Sequence, residues 1–190
     1  MTSPRALLVR LAAALNASGM PWMITGSTAS AFYGEPRATQ DIDIVIDPRP
    51  GELEAFLEML RDGFYVSEDE AATALRDRSM FNAIDLDSGW KAGLIVCPDR
   101  PFEKAELARR RPARLFDVDV FVISPEGSIV SKLRWASLSG SERQLRNAAS
   151  VLAGCEGELD LEYVRREAEA AGVSALLNQI LPPADGGDRA

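Results

Sequence analysis

Between residues 41 and 47 the chain reads Asp-Ile-Asp-Ile-Val-Ile-Asp, alternating acid and aliphatic side chains. A strand places residues i and i+2 on the same face. Ile42, Ile44 and Ile46 therefore share one face, and Asp41, Asp43 and Asp47 share the other. Aspartate is disfavoured in strands, so acids at alternate positions need a cause. Taken alone, the pattern fits two readings: a half-exposed strand with solvated carboxylates, or a metal site. Two carboxylates a few ångströms apart repel each other unless a cation sits between them. Mg2+ prefers such oxygens together with phosphate oxygens.

A second feature lies upstream. The short apolar strand Trp22–Thr25 runs into Gly26-Ser27, and a small-residue helix follows from Thr28 through Phe32 to Gly34. Glycine lets backbone approach a ligand closely. A helix N-terminus offers unpaired N–H groups and the positive dipole end, and Ser27 adds a hydroxyl. Gly-Ser alone reads as an ordinary helix cap; beside Asp41 and Asp43 it fits a phosphate-binding corner.

The rest of the chain supplies a frame. Leu7, Leu8, Leu11 and Leu15 recur at helical spacing, so residues 4–17 read as a helix. A helix opened by Pro50 carries Leu53, Phe56, Leu57 and Leu60, and residues 69–77 read as a shorter one. Residues 79–84 and 90–97 read as strands joined by a turn at 85–89, followed by a charged helix over 101–111 and a last strand region over 114–123. From Pro125 the pattern is helical over 125–138, 141–153 and 160–171, with a capping box at Ser141-Glu142-Arg143-Gln144 and stops at Gly154 and Gly172. The expected fold class is α/β (α+β), a mixed-sheet core over 1–124, a helical unit over 125–181 and a disordered tail over 182–190.

Composition narrows the chemistry. The chain has 190 residues and no histidine, which excludes a Ser-His-Asp triad and any histidine metal site. Acid–base and metal chemistry must come from Asp, Glu, Lys or Ser. Two cysteines, Cys97 and Cys155, are too few for a disulfide framework. With no export signal or membrane-length apolar run, the expectation is a cytoplasmic protein. A net charge of −8 argues against broad nonspecific nucleic-acid binding. Arg109, Arg110, Arg111 and Arg114, and Arg76 with Arg78, read as solvated helix ends or as local basic patches.

Ile24-Thr25-Gly26-Ser27, thirteen intervening residues and Asp41-Ile42-Asp43 resemble the signature of the DNA polymerase β-type nucleotidyltransferase superfamily. The wider stretch is similar to the bacterial AbiEii-like toxin-type branch. The segments that carry this are Glu35–Asp41, Ser124-Pro125-Glu126, Lys132-Leu133-Arg134-Trp135 and Ser141–Asn147. The resemblance covers most of residues 20–172. It implies that Asp41 and Asp43 hold Mg2+ and that Gly26 and Ser27 cradle the triphosphate of an NTP. It gives Lys132 a nucleotide-phosphate contact within the catalytic set; the bland alternative is a solvated helix face. Arg37 fits a phosphate contact or a surface loop. The implied reaction moves an NMP from the NTP to an acceptor hydroxyl, and the toxin-like branch implies a tRNA 3′ end as acceptor and a cognate antitoxin as partner.

The chain departs from the superfamily pattern at two positions. A third carboxylate is expected on the strand Trp90–Val96, where Gly93 stands, and a further acid fifteen residues after Lys132, where Asn147 stands. Asn keeps an acceptor oxygen but is a poor base. Asp47, Asp85 and Asp87 are the other carboxylates to consider, the last two better explained by a turn. A catalytically impaired nucleotide-binding protein and a small-molecule nucleotidyltransferase are the alternatives.

Overall fold

The computed structural model describes residues 4–36, 39 and 41–182. Two compact units emerge, one from Met1–Phe32 with Pro36–Ser124 and one from Tyr33–Glu35 with Pro125–Ala190. The first is α/β, a mixed sheet flanked by helices, and the second is helical.

In the first unit the chain runs α1 (Pro4–Ser18), β1 (Trp22–Thr25), α2 (Gly26–Tyr33), β2 (Asp41–Ile46), α3 (Glu52–Leu60), β3 (Phe64–Val66), α4 (Glu68–Asp77), β4 (Met80–Asp85), β5 (Lys91–Val96), α5 (Pro101–Ala108), β6 (Arg111–Leu115) and β7 (Val118–Val122). The seven described strands form one sheet in the order β3-β4-β5-β2-β1-β7-β6. β2 pairs antiparallel with β1 and parallel with β5. The apolar face of β2 is the one its alternation demands: Ile42, Ile44 and Ile46 are each at most 1% exposed. Their β5 register partners Ala92, Leu94 and Val96 are fully buried too. Leu7, Leu8, Leu11 and Leu15 of α1 are fully buried, and α1 packs on α3 and β7. Such a core is costly to hollow out: truncating the fully buried Phe56 to Ala would cost about 3–5 kcal/mol.

The strand region expected over 114–123 belongs to a hairpin that begins at Arg111. β6 and β7 pair antiparallel through Phe116 and Asp117, both at positive φ (49° and 62°). Two central residues at positive φ match the twist of a tight hairpin, but neither is the glycine that would have marked it. The helix expected to reach 111 ends at Ala108, and Arg111 and Arg114 lie on the outermost strand. Arg110 stacks over the Phe121 ring at 4.8 Å.

The second unit contains α6 (Pro125–Ser139), α7 (Glu142–Gly154), α8 (Leu161–Ala170) and α9 (Ser174–Ile180). α6 is its centre and packs on the other three. The Asp160 carboxylate caps α8 by accepting from Tyr163 N at 2.9 Å. The capping box at 141–144 does not form: the Ser141 hydroxyl makes no cap bond, and Gln144 N donates to the Ser141 carbonyl at 3.0 Å. Gly154 serves close approach, since a Cβ there would collide with the Tyr33 carbonyl. Residues 183–190, most of the expected tail, lie outside the described residues.

Candidate functional site

β1 delivers the chain to Gly26, which adopts φ +66° and opens α2. β2 runs antiparallel beside it, with Thr25 opposite Asp43. A Cβ on Gly26 would collide with Asp43 Oδ2 and would lie 2.8 Å from its Cγ. Both the backbone angle and the space therefore demand glycine, and the Gly-Ser turn and the second aspartate form a single corner. Ser27, the next residue, is exposed at the start of α2. Thr28 reaches the Asp41 carbonyl at 3.5 Å, and Thr39 donates to the same oxygen at 2.9 Å. These hydroxyls tie the start of β2 to the turn.

Asp41 and Asp43 share the face opposite the buried isoleucines, and both are partly exposed. In the parallel pairing, Asp41 lies opposite Lys91 and Asp43 opposite Gly93. Across β4, Gly93 is opposite Asn82. Thr25, Asp43, Gly93 and Asn82 thus form a row over four adjacent strands. A Cβ at Gly93 would lie 3.1 Å from Asp43 Oδ1 and 3.3 Å from Met80 Sδ. A carboxylate at position 93 would stand directly against Asp43. Among the described residues, no group of three or more His, Cys, Asp or Glu is arranged to hold a metal.

Lys91 was not singled out from the sequence. Its Nζ lies 3.5 Å from Asp41 Oδ2, and both side chains are nearly half exposed. Its signal was present: two residues before Gly93 on a strand means the same face.

Asp47 does not join the other two. It follows the end of β2 and accepts from Lys104 Nζ at 2.8 Å and Arg78 Nη1 at 2.9 Å. Four residues of extended chain separate it from Asp43 by roughly 13 Å, and its two cations give it a structural role. Asp85 is buried, is ion-paired with Arg10 and accepts from Asp87 N at 2.9 Å. Burial pushes its carboxyl pKa up, but the Arg10 guanidinium and the turn's hydrogen bonds outweigh it and hold the pKa below the usual carboxylate value. Asp87 is exposed beside the same arginine, 3.6 Å away. Both acids serve the turn between β4 and β5.

Lys132 and Asn147 belong to the second unit, on α6 and α7. Neither is a solvated surface residue: Lys132 is 5% and Asn147 7% exposed. Arg37 lies outside the described residues. Cys97 is buried, and burial raises its thiol pKa to about 11, so it is a protonated core residue at neutral pH.

No protein-family model matches the sequence, and neither does any curated protein. Solved structures do match. The solution structure of the antibiotic-resistance factor ANT(2'')-Ia is similar with a TM-score of 0.58, at 19% identity, over 92% of this chain and 95% of its own. The crystal structure of ANT(2'')-Ia in complex with adenylyl-2''-tobramycin gives the same TM-score at 20% identity, over 90% of this chain and 98% of its own. An antigenic nucleotidyltransferase-like protein from Paracoccidioides brasiliensis also reaches 0.58, at 18% identity, over 94% of each chain. The chain therefore has a nucleotidyltransferase fold of the DNA polymerase β type. The likeness is one of fold and does not single out the AbiEii-like branch. Among the described residues, no helix is long and apolar enough to cross a membrane.

Proposed function

We propose that this protein is a Mg2+-dependent nucleotidyltransferase that uses Asp41 and Asp43 as metal ligands and Gly26 with Ser27 as the cradle for the triphosphate of an NTP. The observation that carries the reading is the contact between its halves: a Cβ at Gly26 would strike the Asp43 carboxylate. The donor set fits the ion. Two aspartates on one strand face, beside a glycine turn at a helix start, suit a hard divalent cation that shares phosphate oxygens. Bound there, Mg2+ would stabilise charge on the attacking and leaving oxygens of an in-line displacement.

The protein's own groups do the positioning. Asp41 and Asp43 fix the cation, Thr28 and Thr39 steady the Asp41 backbone, and the α2 N–H groups with the Ser27 hydroxyl orient phosphate. Lys132 is assigned to nucleotide binding on its sequence motif. Arg37 is assigned to phosphate contact on the same ground. The AbiEii-like resemblance supports a tRNA 3′ end as acceptor and an antitoxin as partner, in the cytoplasm. The likeness to ANT(2'')-Ia, seen with adenylyl-2''-tobramycin, supports a small-molecule acceptor instead.

A second reading, a nucleotide-binding protein impaired in transfer, is favoured by Gly93 standing where a third carboxylate would face Asp43. Incubation with labelled NTPs, Mg2+ and either total tRNA or small hydroxylic acceptors separates the two. Metal-dependent labelling of an acceptor supports the enzyme. NTP binding with no transfer to any acceptor supports the impaired protein.

A further inference from the structure

We propose that this centre works with a single divalent cation, and that the Lys91 ammonium brings to the α-phosphate of the NTP the positive charge a second cation would otherwise supply. The inference rests on the nucleotidyltransferase reading above and adds a residue to that same site.

The pairing register carries the argument. β5 runs parallel beside β2 and sets Lys91 opposite Asp41 and Gly93 opposite Asp43. On the side where a further acid could hold a second ion, the sheet offers an ammonium and a position without a side chain. Lys91 Nζ lies 3.5 Å from Asp41 Oδ2, and 42% of the lysine side chain is exposed, so it can turn toward a ligand. Asn82 of β4, the next residue in the row beyond Gly93, is neutral. The other acids near these strands are engaged elsewhere, Asp47 by Lys104 and Arg78, and Asp85 and Asp87 by Arg10. Among the described residues, no third acid is placed to complete a metal cluster with Asp41 and Asp43.

Sites that displace phosphate on two cations set them about 3.5–4 Å apart, one for the attacking and one for the leaving oxygen. Like charges that close repel, and carboxylates around them offset the repulsion. Asp41 and Asp43 can share one Mg2+ with phosphate oxygens. A second Mg2+ on the same Asp41 oxygen, at about 2.1 Å, would stand within about 6 Å of the Lys91 ammonium. The ammonium repels it, and β5 provides no carboxylate to hold it.

The nucleotide gives Lys91 its role. A triphosphate brings more negative charge than one Mg2+ carries positive, and an ammonium free to leave Asp41 is drawn to it. In the transfer step, the acceptor hydroxyl oxygen bonds to the α-phosphorus and its proton passes to water. The bond from that phosphorus to the bridging β-phosphate oxygen breaks, and its electron pair leaves on pyrophosphate. Lys91 N–H groups donate to a non-bridging oxygen of the α-phosphate, where charge is concentrated. The ammonium has three donors and no acceptor, so it takes no proton from the hydroxyl.

Counting bound Mn2+ by electron paramagnetic resonance tests the cation number apart from turnover. The full chain is saturated with the α,β-methylene analogues of ATP, GTP, CTP and UTP, taken in turn. One Mn2+ per bound nucleotide is expected, and two overturns the inference. The role of Lys91 is read from 31P spectra of the bound analogue with saturating Mg2+. Lys91→Met should move the α-phosphorus resonance, leave the γ resonance in place and weaken binding about tenfold. Lys91→Arg should keep most of the affinity. An α resonance that Lys91→Met leaves unmoved overturns the assignment of Lys91. Either failure leaves the nucleotidyltransferase reading standing. If no analogue binds, or if binding survives Asp41→Asn with Asp43→Asn, that reading falls and this inference falls with it.

Discussion

β2 carries acids at both ends, and the fold treats them oppositely. At the far end Asp47 is clasped by Lys104 at 2.8 Å and Arg78 at 2.9 Å and is 24% exposed. At the near end Asp41 keeps 49% of its side chain exposed and meets Lys91 at a looser 3.5 Å. Asp43 beside it stands against a glycine turn that has no room for a side chain. The alternating pattern makes these acids look equivalent. The difference lies in what distant segments bring to each: cations for Asp47, and a helix start for Asp43. The short ion pairs give Asp47 a structural role, whereas Asp41 keeps a looser pair and nearly half of its side chain exposed.

The contrast would break most visibly in a pair of variants. Asp41→Asn with Asp43→Asn should abolish Mg2+-dependent nucleotide binding in calorimetry and leave the protein folded. Asp47→Asn should leave that binding intact and lower the unfolding midpoint. If the two variants behaved alike, the functional distinction between the strand ends would be lost.

Asp85 provides a second structural acid for comparison. Arg10→Met would strand its buried carboxylate, at a cost of about 2–4 kcal/mol at pH 7, the half-exposed Arg10 keeping this at or below the usual range. Denaturant unfolding measures it. The pH dependence has a defined sign. The native Asp85 pKa lies below the unfolded value of about 3.9, so its stabilisation is fully present above that pH. It is lost as pH falls through the native pKa. In Arg10→Met, burial would instead raise the pKa and make the charged form unfavourable. The stability gap between the variant and the native protein should therefore narrow on acidification toward pH 4 and below. A gap independent of pH would mean that the arginine acts through packing alone.

Smaller effects sharpen the nucleotide side. Lys132→Ala should weaken NTP binding by about 1.5–3 kcal/mol, the worth of a charge-assisted contact. An unchanged affinity in the folded variant would remove Lys132 from the nucleotide assignment. Ser27→Ala should cost less, about 0.5–1.5 kcal/mol for one hydrogen bond. A loss much larger than that would point to a role for Ser27 beyond orienting phosphate.

Much of the fold was legible because its signals are local. The isoleucine face of β2, the leucine stripe of α1 and the start of α6 at Pro125 follow from period and punctuation. The β6–β7 hairpin is not legible in the sequence because its turn is made by Phe116 and Asp117, whose positive φ no glycine announces. The turn Gly26-Ser27 and the pair Asp41 and Asp43 were visible as separate motifs. Lys91 shares a strand face with Gly93, but a single lysine at a strand end has no local signature that marks it as part of a site.

The sequence by itself determined which face each residue of β2 takes, since a strand's two-residue period is a local property of the backbone. It also determined that histidine has no part in the site, since the chain contains none. Only the tertiary structure decided that Gly93 stands opposite Asp43, that Lys91 meets Asp41, and that Arg78 and Lys104 neutralise Asp47. Asp43 and Gly93 are fifty residues apart in the chain. Their alignment comes from the pairing register of two parallel strands, and a shift of one residue would turn one strand's acids or apolar residues to the wrong face. Burial of the isoleucine, leucine and valine side chains across the whole sheet selects that register, so the site's geometry is set by a core on the opposite side from its chemistry.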